Sequence, residues 1–477
     1  MAQTLPDPAT LPAEEIAGSA SGRSAGAFAP SSAQAAPSIL PGGMNWMRVA
    51  QLTLVHVGVS ITVVPVQSTL NRVMIADLGF SALLVGFLVS LPYLLSPLQV
   101  FMGAWSDRTP IWGRYRSPWI LLGGLMAAFG SYMTPHAAYL MADSWGLGLL
   151  ACLGAFSLWG MGVNIASVSY LSLVTELSGE GSGWRSRAIS AMWTVMILST
   201  IVTAVGLSIL LRDYSREALY TAFGVVWLMS VVLVLVGAAG IEPPSPPGRS
   251  VRSDARNPLE AVRALSANPS AQRFFLYLLL VLVSIHAQDV LLEPYGAEVL
   301  GMEVSQTSRL TSYWGVGVLV TLLAGLPLMR RMGKKPVANL GALVAAAGFA
   351  MIIVAGALYQ PKLLQTAVLV LGLGGGLMTI SNLSFMLDMT LPAAAGLYIG
   401  AWGVANFAGQ ALGGIASGGL RDLSFALTGN DFVGYALVFA LEIAGLLLAV
   451  WLFREISVAN FRRDAEATLG ELLSIDT

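Results

Sequence analysis

Twelve long apolar stretches, six before a polar break and six after it, constrain this chain more than any other feature. A stretch of about 20 apolar residues crosses a bilayer as a helix, because a helix closes its own backbone hydrogen bonds where no water can. A soluble fold could not hide this much apolar surface, since 56% of the residues are hydrophobic and only 11% are charged. The pattern predicts spans near 48–70, 81–104, 118–137, 146–174, 187–210, 217–240, 273–296, 307–330, 337–357, 363–388, 396–419 and 431–453. The expected fold class is therefore an all-α integral membrane protein, a multi-pass bundle of twelve helices in two six-helix halves.

The predicted organisation is a tail over 1–43, a first half over 44–240, a linker over 241–272, a second half over 273–454 and a tail over 455–477. The first tail is rich in Ala, Ser, Pro and Gly and lacks Trp and Tyr, too little apolar area to order itself. Glu14 and Glu15 interrupt it and no apolar core follows, so it does not read as a secretory signal, and the first span is expected to direct insertion. The linker opens Glu242-Pro243-Pro244-Ser245-Pro246-Pro247-Gly248, which excludes helix and predicts an extended strap. A short amphipathic helix is expected over 257–267. The single cysteine, Cys152, lies in an apolar segment and reads as a buried small side chain.

Orientation follows from the basic residues. With both termini cytoplasmic, 19 of the 25 Lys and Arg fall on the cytoplasmic side, and only Arg72, Arg212, Arg216, Arg309, Lys362 and Arg421 fall opposite. That bias fits the positive-inside rule. Trp46, Trp105, Trp112, Trp119, Trp145, Trp184 and Trp451 sit near predicted span ends, as interfacial aromatics do. A faint echo suggests duplication: span 1 reads Leu70-Asn71-Arg72 and reaches Leu78-Gly79, while span 7 reads Leu292-Glu293-Pro294 and reaches Leu300-Gly301.

Between spans 2 and 3 the chain reads Gly103-Ala104-Trp105-Ser106-Asp107-Arg108-Thr109-Pro110-Ile111-Trp112-Gly113-Arg114-Tyr115-Arg116. Gly103 allows close helix approach, Asp107 can meet a helix N-terminus or an Arg, and Arg108, Arg114 and Arg116 suit an anionic leaflet. A plain basic loop would account for the same charges. The spacing of Gly, Asp-Arg and Gly-Arg-x-Arg resembles the signature loop of the major facilitator superfamily, in its sugar–cation variant. The second half keeps only the charge, as Arg330-Arg331-Met332-Gly333-Lys334-Lys335.

A narrower resemblance rests on three runs: Leu70 to Gly79, Ser106-Asp107-Arg108 through Arg116-Ser117-Pro118-Trp119-Ile120, and Gln288-Asp289-Val290-Leu291-Leu292-Glu293-Pro294-Tyr295-Gly296. Over most of 45–455 the chain resembles the PucC/LhaA family, major-facilitator-like proteins that assist assembly of light-harvesting complexes in photosynthetic bacteria. The long Ala- and Pro-rich tail is more similar to the LhaA branch, which serves the core antenna. The resemblance implies an assembly factor in the bacterial inner, photosynthetic membrane. It implies bacteriochlorophyll as the bound group, with carotenoid a second candidate. Expected partners are the light-harvesting 1 α and β polypeptides, then the reaction centre and pigment-synthesis enzymes, within membrane lipid; no nucleic acid is expected.

The residues can also be read without the family. Ionisable groups at membrane depth usually face a protein interior or a wet cavity. Asp289 and Glu293 lie four apart on one helical face beside Gln288, and Pro294 frees a carbonyl near residue 290. Arg72, with Asn71 beside it, is the expected counter-charge, since spans 1 and 7 are equivalent. These groups form either a cavity gate or a structural ion pair. Asn164, Asn382, Asp388, Asn406 and Gln410 read as interhelical hydrogen-bonding groups. Of three histidines, His56 and His286 lie within apolar helices and are the pigment-ligand candidates. His136, at the outer end of span 3, ranks below them; a hydrogen bond to a neighbouring helix is the alternative for each. The glycines of 372–376 and 409–418 predict tight helix contacts, since no Lys-Ser/Thr follows to make a phosphate loop. A prenyl-transferring enzyme would need clustered Asp for Mg-diphosphate, and Asp107, Asp388 and Asp422 are isolated. A non-enzymatic assembly factor is thus the leading reading, and a secondary transporter of sugar–cation type the alternative.

Overall fold

The computed structural model describes residues 43–179, 183–244, 269–390, 395–461 and 463, apart from the side chains of Val100, Ala104, Asp107 and residues 395–397 and 399. The predicted 1–43 tail except Gly43, the 257–267 helix and most of the 455–477 tail lie outside the described residues.

Twelve helical rods, α1 to α12, follow the predicted spans. They are α1 Trp46–Asp77, α2 in two pieces (Ala82–Leu94 and Leu98–Arg108), α3 Ser117–Asp143, α4 Trp145–Ser178, α5 Trp184–Leu210 and α6 Arg216–Ala238. The second six are α7 Pro269–Glu298, α8 Val304–Met332, α9 Lys334–Ala357, α10 Pro361–Asp388, α11 Ala395–Thr428 and α12 Asp431–Phe453. Nine of these are long and apolar enough by themselves to cross a membrane, among the described residues. The protein is a multi-pass membrane protein.

Three rods depart from the expected uniform helices, each at or near a proline or a helix offset. In α1, Pro65 has no N–H for the carbonyl of Ile61; the helix turns at 61–62 and continues as π-helical segments Pro65–Leu70 and Val73–Asp77. This carries α1 seven residues beyond its predicted end at 70. In α2, Pro97 cannot bond the carbonyl of Tyr93, and the N–H of Ser96 takes that carbonyl at 3.1 Å, breaking the rod. The amide of Asn164 then donates to the carbonyl of Pro92 at 2.8 Å, a bond the sequence placed only generically between helices. The third rod, α7, is offset at Ala287, between Pro269–His286 and Gln288–Glu298.

The sequence echo between spans 1 and 7 has a structural meaning. Gly79 (φ 69°) and Gly301 (φ 62°) both take the left-handed conformation. Each is followed by an N–H that bonds six residues back, Phe80 to Met74 and Met302 to Gly296, both at 2.9 Å. The Leu-Gly pairs are therefore matching helix C-caps.

Small residues set the packing within and between halves. A Cβ on Gly374 would lie 2.4 Å from the backbone nitrogen of Ala345, so α9 and α10 touch backbone to backbone. A Cβ on Gly86 would lie 2.4 Å from the carbonyl oxygen of Gly414, which joins α2 of the first half to α11 of the second. Cys152 is buried, as expected.

Candidate functional site

Two clusters hold the predicted site residues other than His56: a polar junction between α1 and α7, and a charged anchor at the signature loop.

At the junction, the fully buried Asn71 donates its Nδ2 to the carbonyls of Asp289 and Val290, both at 3.2 Å. The Val290 carbonyl is the one that Pro294 leaves without its helical donor. The polar contact expected at that gap is therefore made by the opposite half of the protein. Nearby, Thr69 and Ser308 share a hydrogen bond of 2.9 Å between α1 and α8.

The acids of α7 find most of their partners within the second half, though Asn71 of α1 also bonds Glu293. Asp289 accepts from Gln288 Nε2 at 2.5 Å and bonds His286 Nδ1 at 2.7 Å. Glu293, buried one turn on, accepts from Thr311 Oγ1 of α8 at 3.0 Å. Arg72 departs from expectation: its guanidinium bonds Asp77, five residues along the same rod. The π-helical turns of α1 bring Asp77 back beside Arg72, and a local carboxylate outcompetes one across the bundle.

Glu442 was not foreseen. It is buried in the middle of α12, neither carboxyl oxygen has a hydrogen-bond partner among the described residues, and Asp289 acts on it electrostatically. Its signal was available, since it is the one carboxylate between Asp431 and Arg454. A second unforeseen group, Arg421, joins Glu298 of α7 and Asp431 of α12 (2.9 Å), while Asp422 caps the start of α2 through Ser81 Oγ (2.7 Å) and the Leu83 N–H (2.9 Å). The Arg421 contacts tie α7, α11 and α12 within the second half, and the Asp422 contacts join the two halves at the face away from the signature loop.

In the signature loop, Trp112 (φ 52°) and Gly113 (φ 71°) make a tight turn closed by paired Ile111 and Arg114 backbone bonds of 2.9 and 3.1 Å. Gly103 sits against Val168 of α4, where a Cβ would be 3.3 Å away. Arg108 is exposed and Arg114 half-buried, whereas Arg116 is buried. Arg116 bonds Glu176 at the end of α4 (Nε 2.8 Å, Nη2 2.7 Å) and Ser106 Oγ (2.7 Å). Glu242, read from sequence as the start of an extended linker, is instead fully buried. Its carboxylate accepts the N–H groups of Tyr115 (2.8 Å), Arg116 (2.9 Å) and Ser117 (2.6 Å) at the start of α3. A carboxylate at a helix N-terminus satisfies open donors and the helix dipole together. That was the role expected of Asp107, whose side chain lies outside the described residues.

The pigment-ligand candidates are placed as follows. His56 is buried, bonds the Tyr170 hydroxyl at 2.7 Å and lies edge-on to that ring. His286 belongs to the Asp289 cluster. The other polar groups act between or within helices: Asn382 accepts from Tyr277 at 2.9 Å, Asp388 pairs with Lys334 at 2.6 Å, and Gln410 bonds Asn406 at 2.5 Å.

A helical membrane bundle of two halves, joined at disturbed first helices and braced by a signature loop, has the major-facilitator-type fold. Solved structures agree on that fold. The nucleoside transporter NupG matches with a TM-score of 0.65 at 16% identity, over 87% of this chain and 99% of that one. A bacterial homolog of the human lysosomal transporter Spinster, inward-facing and unoccupied, matches with 0.65 at 14% identity, over 88% and 98%. The sequence narrows the class further: residues 69–461 match the family described as PUCC protein, and the chain belongs to that family. Its relatives include the Bacteriochlorophyll synthase 44.5 kDa chain of Rhodobacter capsulatus, 30% identical over 84% of this chain and 92% of that one. Protein PucC of Cereibacter sphaeroides is 30% identical over 84% of this chain and 90% of that one.

Proposed function

We propose that this chain is an assembly factor for the core light-harvesting complex, handling bacteriochlorophyll and docking the light-harvesting 1 α and β polypeptides in the bacterial inner membrane. The observation that carries this reading is membership of the PucC family over 69–461, with a relative whose name ties it to bacteriochlorophyll. In this reading both termini are cytoplasmic, no reaction is catalysed, and carotenoid, the reaction centre and pigment-synthesis enzymes are secondary partners. The junction chemistry supports it: Asn71, Arg72, Gln288, Asp289 and Glu293 bond one another, their neighbours or freed backbone carbonyls. A solute site needs such groups turned toward the solute.

The test is deletion of the gene in a photosynthetic host. Core antenna absorbance is expected to fall while solute uptake is unchanged. Normal antenna in the deletion strain, with saturable solute flux in proteoliposomes, would replace this reading with the secondary transporter.

A further inference from the structure

His136, the histidine that ranked last in the sequence, has the best ligand geometry for an apolar macrocycle. A groove of about 340 Å³ runs between α3 and α4, lined by Met133, His136, Leu140, Ala151, Gly154 and Leu158. His136 is its one polar side chain apart from the thioether of Met133. The His136 Nδ1 lies 3.0 Å from the carbonyl oxygen of Tyr132. A carbonyl only accepts, so in the neutral ring Nδ1 carries the proton and Nε2 carries the lone pair. The hydrogen bond that the ring makes among the described residues is at Nδ1, which leaves Nε2 open. The ring is also held in place: Tyr220 of α6 stacks on it at 4.0 Å and 7°, and Tyr220 itself accepts from Arg216 Nε at 2.8 Å. An imidazole with one nitrogen tied to a carbonyl and the other free is the arrangement metal-binding histidines adopt.

The other two histidines are less accessible to a macrocycle, although His56 also has Nδ1 bonded and Nε2 without a partner among the described residues. The His56 ring is sealed among α1, Tyr170 of α4 and Trp193 of α5. A macrocycle could reach it only by parting those helices. His286 sits in a polar cluster with Asp289 and Gln288, which an apolar ring system would have to desolvate.

We propose that His136 Nε2 is the axial ligand to the magnesium of a bacteriochlorophyll-type tetrapyrrole seated in the α3–α4 groove. The metal of such a ring has its equatorial positions filled and takes a neutral donor from one face, while the apolar body seeks an apolar wall. Gly154 keeps that wall open: a Cβ there would meet nothing within 4 Å, so the groove is not filled by the helix that lines it. This inference rests on the pigment-handling part of the proposed function.

The experiment uses the full chain, purified in mild detergent and titrated with bacteriochlorophyll and with its metal-free counterpart, read by absorption and fluorescence. Wild type is expected to favour the magnesium form about tenfold, a ratio equivalent to one good metal–ligand contact. His136→Gly is expected to remove that preference, and added imidazole to restore it. Gly154→Leu fills the groove and is expected to weaken both pigments alike, while His56→Phe changes neither. Retention of the magnesium preference in His136→Gly would overturn the assignment, as would unchanged binding in Gly154→Leu. Equal preference for iron protoporphyrin would also overturn it, by making the groove a general haem-type site. If no tetrapyrrole binds and deletion still lowers core antenna, this inference fails and the assembly reading stands. If pigment binds through His136 and deletion leaves antenna normal, the site stands and the assembly reading fails.

Discussion

The two basic loops of this bundle occupy equivalent places, between the second and third rods of each half, yet they are built from different chemistry. In the first half, Arg116 is buried against Glu176 at the end of α4, and Glu242, just past α6, gathers three backbone N–H groups at the start of α3. In the second half, Lys334 pairs with Asp388 at the end of α10 at 2.6 Å. Lys335 donates to the carbonyls of Arg454 and Ile456, just past α12, at 2.9 and 3.0 Å. Both loops thus tie the third rod to the ends of the fourth and sixth rods of their own half. The first uses enclosed, charge-assisted bonds; the second uses half-exposed lysines that water can solvate. A buried pair is costly to disrupt from one side, whereas an exposed pair is not. The first loop is therefore a fixed brace and the second a loose tether.

The sharpest way to break this comparison is Arg116→Ala. It leaves Glu176 in a site closed to water, and the expected loss is about 3–5 kcal/mol in unfolding measured in mixed micelles. The double replacement Arg116→Met with Glu176→Leu is expected to recover most of that loss, because no charge is then stranded. Glu242→Ala comes next, at about 2–3 kcal/mol, since it bares several donors at the start of α3. Glu242→Gln keeps an acceptor and is expected to cost about half as much. If either first-half substitution proves silent, the brace is not enclosed as described.

A third substitution moves from the loops to the seam between halves. Asn71→Leu removes the donor that serves the proline-freed carbonyl of Val290. The expected cost is about 1–2 kcal/mol. Because the bond crosses between α1 and α7, loss of it is also expected to raise labelling of a cysteine introduced near the seam on the face away from the signature loop. An unchanged labelling rate would mean that the Asp422 contacts to the start of α2 hold that face closed alone.

Much of this was legible in the chain. Hydropathy located all twelve rods, because bilayer thickness leaves little choice of length. The Leu-Gly echo of 78–79 and 300–301 predicted duplication, and both glycines prove to be left-handed caps. Prolines 294 and 65 mark disturbed helices, yet only Pro294 was read for the carbonyl it frees. Other features depend on which side chains meet in space, and no linear pattern encodes that. Arg72 had carboxylates across the bundle and one five residues away; only the π-helical turns of α1 decide for Asp77. Glu242 sits before a run of prolines, so its composition spoke for a linker while its contacts make it part of the brace. Glu442 needed only the observation that a carboxylate stands alone in an apolar span. His136 ranked last because its place near a span end says nothing of the Tyr132 carbonyl that sets its tautomer or the Tyr220 ring that holds it.

The smallest expected effect is the most informative about the tether. Lys334 and Asp388 are each about one-third exposed on the side chain, 38% and 33%. Their attraction is screened by solvent and offset by the entropy of fixing a long lysine, so Lys334→Ala is expected to cost no more than about 0.5 kcal/mol. Raising salt is expected to shrink even that difference, whereas it leaves the cost of Arg116→Ala nearly unchanged, since ions screen exposed pairs and not enclosed ones. Unfolding of both variants at low and high salt reads the contrast directly. A Lys334→Ala cost equal to that of Arg116→Ala, or one insensitive to salt, would show that the two halves are braced alike. The difference in loop chemistry would then carry no mechanical meaning.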